Sequence, residues 1–109
     1  IICDDPDAPS GAWVHWVIYN IPPSMSSLDE GIDSDGSIDD GITQGINDFG
    51  GIGYGGPMPP RGSHRYVFKI FALDAILPSR PGITKAGLLK LMSGHILTEA
   101  KLTGKYSRS

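Results

Sequence analysis

The sequence predicts a mostly antiparallel β domain with one C-terminal helix. Three observations carry this. Two runs, 12–20 and 65–74, are dense in β-branched and aromatic residues, the types that fit a pleated, half-buried surface. Fifteen glycines and nine prolines punctuate 109 residues without a fixed period, which disfavours long helices and excludes a repeat architecture. Only 84–97 carries a helical apolar stripe, Leu88, Leu89, Leu91, Met92 and Ile96, behind a capping Thr84.

Taken in order, residues 1–4 read as a buried strand ending in the acidic turn Asp4-Asp5-Pro6-Asp7-Ala8-Pro9. In 12–20, strict alternation puts Trp13, His15, Val17 and Tyr19 on one face and Val14, Trp16 and Ile18 on the other. Both faces are largely apolar, so a central strand covered on both sides is expected. Ile21-Pro22-Pro23 ends it, because proline cannot donate to a ladder. Residues 24–49 are rich in Ser, Asp and Gly. Ser24 is placed to cap a short helical turn. Ile32, Ile38, Ile42 and Ile46 are placed to pin the remaining loop to the core, and loops of this length are often functional. In 65–74, Tyr66, Phe68, Ile70 and Ala72 alternate with Val67, Lys69, Phe71 and Leu73. Residues 98–107 read as a final half-exposed strand.

The length bounds the chain to a single domain, 1–109. Twelve acidic and nine basic residues give a net charge of -3. With no basic cluster, nucleic acid is excluded as the main partner. No apolar run reaches membrane-spanning length, so no membrane span is expected. The single cysteine, Cys3, excludes an intrachain disulfide and fits a reducing, cytoplasmic setting. In its apolar strand the thiol is expected to stay protonated and inert. Ile1-Ile2-Cys3 reads as the middle of a strand, so residues are expected to be missing upstream.

Two stretches carry the chemistry, and they are expected to meet in one small pocket. The first is the Asp4–Pro9 turn with the strand after it; the second is Gly50 to Tyr66. Asp5 and Asp7 flank Pro6. On the structural reading they accept backbone hydrogen bonds, as turn aspartates do. On the functional reading two prolines hold them rigidly at a strand end. His15 reads as a hydrogen-bonded core histidine when taken alone. Together with His64, Tyr66 and a carboxylate it completes a ring of donors for an anion, the carboxylate fixing a histidine tautomer. The glycine-rich loop lacks the Gly-Lys-Ser/Thr ending of a phosphate loop, and a strand follows it where a dinucleotide fingerprint needs a helix. It reads either as a hairpin connection or as a bare backbone wall stiffened by Pro57, Pro59 and Pro60. A metal site from His15, His64 and Asp5 matches a known ligand set but no spacing enforces it. His95 reads as a partner of the helix C-terminus.

Asp5-Pro6-Asp7-Ala8-Pro9 followed by His15-Trp16, then Gly55-Gly56-Pro57-Met58-Pro59-Pro60 and Gly62-Ser63-His64-Arg65-Tyr66, resembles the phosphatidylethanolamine-binding protein family, closest to its short prokaryotic, Raf kinase inhibitor-like branch. The resemblance implies an antiparallel β-sandwich with a short C-terminal helix and an anion pocket at one end. It implies Asp5, Asp7 and Pro9 from the turn, Trp13 and His15 from the next strand, Gly56 and Pro57 as a wall, and His64 and Tyr66 closing the ring. The ligand implied is a phosphate-like or phospholipid head group. No cofactor, metal or catalytic residue is implied. Two other roles stay open: a kinase- or protease-regulating interaction protein working through residues 24–49, and a metal-dependent or phosphoester hydrolase using the same His and Asp residues. Family members carry several dozen residues before the first motif. Their absence would leave a sheet edge open, to be filled by a cleaved upstream piece or by a second copy in a homodimer.

Overall fold

The four residues Ile2-Cys3-Asp4-Asp5 form the middle of the fold. All four are buried in strand β1 (Ile2–Asp5). β2 (Trp13–Tyr19) pairs antiparallel with one side of it and β4 (Gly62–Leu73) with the other. The two-residue β3 (Thr43–Gln44) covers the outer side of β2, and β5 (Ile96–Arg108) covers that of β4. The order is β3-β2-β1-β4-β5, with every pairing antiparallel. Among the described residues one helix, α1 (Lys85–Met92), completes a mostly β fold of the kind the sequence predicts. The computed structural model describes residues 1–7, 13–22, 41–55 and 62–108, with the backbone alone at 62–64 and 105–108.

The register of β1 against β2 corrects the simple alternation. Cys3 lies opposite Trp16, but Asp4 lies opposite Val14. β2 therefore carries one extra residue, His15, at a β-bulge, which resets which side chains share a face. Val14 joins Val17 and Tyr19 in the core cluster with Ile2, Leu77, Leu88 and Met92. Trp13 and His15, expected on that face, are released to the other one. β4 alternates as predicted, with Phe71 and Leu73 packed against the core cluster. The ladder of β1 with β4 ends at Asp4↔Val67, and Asp5 pairs with Trp13 on β2.

α1 begins where the sequence predicts. Thr84 Oγ1 accepts from Gly87 N at 3.0 Å, satisfying one of the free N–H groups of the first turn. It ends earlier than predicted. Ser93 caps it, and Gly94 adopts φ +82°, a left-handed turn that glycine takes at no steric cost. Ile96 therefore opens β5 instead of extending the helix stripe. His95 meets the helix C-terminus through its backbone, its N donating to Met92 O at 2.9 Å, while its ring turns away, with Nδ1 2.8 Å from Asp74 Oδ1 beyond the end of β4. Leu88 and Met92 bury the apolar face of α1 against β1 and β2. At the start of α1, Lys85 Nζ donates to the buried Asp4 at 2.6 Å, joining helix to sheet.

Residues 24–40 of the long polar loop, with Ile32 and Ile38 and the Ser24 turn, lie outside the described residues. Ile42 is buried as expected, and Ile46 bridges to Ile52. β5 is more exposed than the half-buried strand expected, with every residue from Ile96 to Gly104 exposed. Among the described residues no helix is long and apolar enough to cross a membrane.

Candidate functional site

The acidic turn and the segment after the glycine-rich loop do come together. Asp7 takes three hydrogen bonds from Arg65, at 2.9 Å from the backbone N, 3.0 Å from Nε and 2.9 Å from Nη2. A guanidinium fork matches a carboxylate in this way, and the contact raises the Arg65 pKa. Asp7 is thereby a clamp between turn and β4. Its side chain and that of Arg65 are exposed, so the clamp sets geometry more than stability. Asp5 is buried, and its Oδ1 accepts from Asp7 N at 2.9 Å, the local bond that aspartate makes in a tight turn.

His15 sits at the centre. Its Nδ1 is 2.7 Å from the Gly55 carbonyl, and Gly55 N donates back to the His15 carbonyl at 2.8 Å. A carbonyl oxygen only accepts, so Nδ1 carries the hydrogen. The partner that fixes the tautomer is thus the backbone of Gly55. In the neutral ring Nε2 keeps a lone pair; when protonated it becomes a donor. No hydrogen bond to Nε2 is made among the described residues. The ring is held edge-on between Tyr66, with centroids 4.9 Å apart, and Phe49, at 5.3 Å. Trp13 meets Phe49 edge-on at 5.5 Å. Its indole Nε1 is buried and has no hydrogen-bond partner among the described residues.

Phe49 is the residue that sequence reasoning missed. It belongs to the turn Asn47-Asp48-Phe49-Gly50-Gly51. Asn47 Oδ1 accepts from Phe49 N at 2.9 Å and Gly51 N at 3.2 Å, and Asn47 Nδ2 donates to Gly53 O at 2.9 Å. Gly50 takes φ +86°. Asp48 docks this turn on the bulged strand, with Val14 N donating to its Oδ2 at 2.7 Å. The signal was present as a lone aromatic inside an Asn-Asp-x-Gly turn. A second brace lies beside it. Trp16 Nε1 donates to Gln44 Oε1 at 2.7 Å, and the Trp16 ring meets Tyr54 at 5.7 Å.

Of the predicted site residues, Asp5, Trp13, His15 and Tyr66 are brought to one side of the sheet, while Asp7 in the turn is paired with Arg65, the neighbour of Tyr66 on β4. His64 lies on β4 opposite Tyr106, and its side chain lies outside the described residues, as do Pro9, Gly56 and Pro57. Cys3 is fully buried, and burial, with Asp4 and Asp5 nearby, pushes its thiol up to about 12. Among the described residues no group of three His, Cys, Asp or Glu side chains is placed to hold a metal ion. What the arrangement offers is one rigid imidazole edge and one buried indole donor, in an aromatic frame.

The family model of phosphatidylethanolamine-binding protein matches residues 1–107. A UPF0098 protein of Methanothermobacter thermautotrophicus is 54% identical over 108 residues, covering 99% of this chain and 72% of that one. A UPF0098 protein of Pyrococcus horikoshii is 49% identical over 112 residues, covering 99% of this chain and 56% of its own length. The crystal structure of a phosphatidylethanolamine-binding protein homologue from Chlamydia trachomatis superposes with a TM-score of 0.88 at 42% identity, over 99% of this chain and 70% of that chain.

Proposed function

The chain belongs to the phosphatidylethanolamine-binding protein family, and on that premise we propose that it binds a phosphate-like group, free or on a phospholipid head, in the Trp13–His15–Phe49–Tyr66 frame. The observation that carries the proposal is the buried Trp13 Nε1, a donor without an acceptor among the described residues. A buried donor left unpaired costs about 1–3 kcal/mol. A ligand oxygen placed there recovers that cost. The His15 ring, fixed by Gly55, supplies the second contact through Nε2. Donating from Nε2 to an anion requires the imidazolium, because the neutral ring already carries its hydrogen on Nδ1. The frame is built to hold and orient.

The test is a titration of inorganic phosphate and of phosphoethanolamine, followed by tryptophan fluorescence. Saturable binding is expected, weakened about tenfold by Trp13→Phe and by His15→Ala, the loss of roughly one charge-assisted hydrogen bond. No binding at high millimolar ligand contradicts the proposal. Turnover of a phosphoester lost in His15→Ala would replace binding with hydrolysis.

A further inference from the structure

The Trp13–His15 frame stands among carboxylates. Asp5 and Asp7 lie in the turn before it, and Asp48 accepts from Val14 N, between Trp13 and His15. Asp4 lies behind it. Its register partner on β2 is Val14, the residue that separates the two proposed donors, and opposed Cα atoms of an antiparallel pair lie about 5 Å apart. Asp4 faces the helix, where it meets Lys85, while Trp13 and His15 face the other way. Side chains stand about 5 Å off each face of a sheet, so the Asp4 carboxylate lies roughly 10 Å from the donors. An anion held in the frame is repelled by each of these carboxylates. Asp5 and Asp48 accept from backbone N–H groups, which carry only partial charge. Among the described residues, full positive charge is set against the cluster at Arg65, on Asp7, and at Lys85, on Asp4. The Arg65 pair is exposed and screened by water. Asp4 is buried, and its Oδ1 has no hydrogen-bond partner among the described residues. Its compensation comes through Oδ2, where Lys85 Nζ stands at 2.6 Å.

We propose that Lys85 tunes the anion site from the opposite face of the sheet, by cancelling the charge of Asp4. The inference rests on the binding site proposed above. Lys85 makes no contact with the ligand; it sets the field in which the ligand is held. Without it, the buried charge of Asp4 would act on the frame through protein, where water screens it least. The repulsion scales with the charge of the ligand, so the pair favours a doubly charged anion over a singly charged one. The helix thereby takes a part in binding that no residue of the frame reveals.

The test is calorimetric titration with inorganic phosphate at pH 8, where it is mostly doubly charged, with circular dichroism to confirm folding. Removing either partner breaks the same ion pair but changes the charge in opposite senses. Asp4→Asn is expected to bind phosphate about fivefold more tightly than wild type, and Lys85→Met about fivefold more weakly, the effect of one unit charge on a dianion roughly 10 Å away. The double variant is expected to return to within about twofold of wild type. A merely structural role would weaken binding in both single variants, because both lose the same bond. Lys85→Met leaves Asp4 buried without a counter-charge, a heavy cost to folding. Should that variant not fold, Asp4→Asn decides, since it keeps the shape of the side chain and leaves Lys85, 26% exposed, free to turn to water. Binding by Asp4→Asn that equals or falls below that of wild type overturns the inference and leaves the site standing. Absence of phosphate binding by wild type overturns the site and the inference together.

Discussion

Gly45→Ala should destabilise the region that supports the site, and the cost follows from one distance. A Cβ at residue 45 would stand 2.2 Å from the Ile83 carbonyl oxygen, 2.9 Å from Val17 Cγ1 and 3.1 Å from Ile83 Cγ2. Ordinary contact begins near 3.4 Å, so the Ile83 carbonyl must retreat by about 1 Å, and a backbone atom cannot turn aside as a side chain does. That carbonyl accepts from Ile46 N at 2.9 Å. Retreat breaks the bond that ties the segment before α1 to the strand beside β2. Overpacking costs about 1–3 kcal/mol and the lost bond about 1 kcal/mol. The sum is about 2–4 kcal/mol, against a total stability of typically 5–15 kcal/mol. The assay is urea unfolding followed by fluorescence of the two tryptophans. Gly104→Ala, where a Cβ meets nothing within 4 Å, is the control and should stay within about 0.5 kcal/mol of wild type. A Gly45→Ala protein losing less than about 1 kcal/mol would refute the reasoning, because the close approach of the two backbones would then not be real.

Further outcomes follow from single contacts. Tyr19→Phe removes an O–H that donates to Pro78 O at 3.0 Å and accepts from Arg80 N at 2.6 Å, and should cost about 1–2 kcal/mol in the same unfolding assay. Thr84→Ala removes the helix cap and should cost about 1 kcal/mol. Cys3 should resist a thiol reagent in the native state at pH 8 and react on unfolding, since its pKa lies at about 12. The raised value also fixes a sign. Stability owed to the protonated thiol is complete below the unfolded value of 9.0 and is lost as pH rises towards 12, so Cys3→Ala should flatten the alkaline fall measured by unfolding at stepped pH.

The strands were legible because their residue types and period agree with their surroundings. Ile70 and Phe71 fall on opposite faces as they should, and β4 keeps an unbroken register with β5 from Gly62 to Ala72. β2 does not, because the pairing of Cys3 with Trp16 and of Asp4 with Val14 inserts His15 as an extra residue. A bulge depends on the partner strand, and no property of Trp13 to Tyr19 alone announces it. The same bulge releases His15 towards Tyr66, so the departure from regularity is what builds the site. The Thr84 cap was legible for a local reason, a hydroxyl three residues from the N–H it accepts. The early end of α1 had its local signal in Ser93-Gly94, outvoted by the apolar Ile96. The meeting of the two motif stretches was expected, but the pairing of Asp7 with Arg65 and of His15 with Gly55 are contacts over 58 and 40 residues that only the tertiary fold selects.

The two indoles of this protein offer the most direct test of the binding site. Trp16 Nε1–H is engaged by Gln44 at 2.7 Å, whereas Trp13 Nε1–H is buried with no acceptor among the described residues. In a nitrogen–proton correlation spectrum they give one side-chain resonance each. On titration with inorganic phosphate, the Trp13 indole resonance should move downfield and saturate, while the Trp16 resonance stays in place. A Trp13 resonance that does not move, or a shift confined to Trp16, would contradict the account.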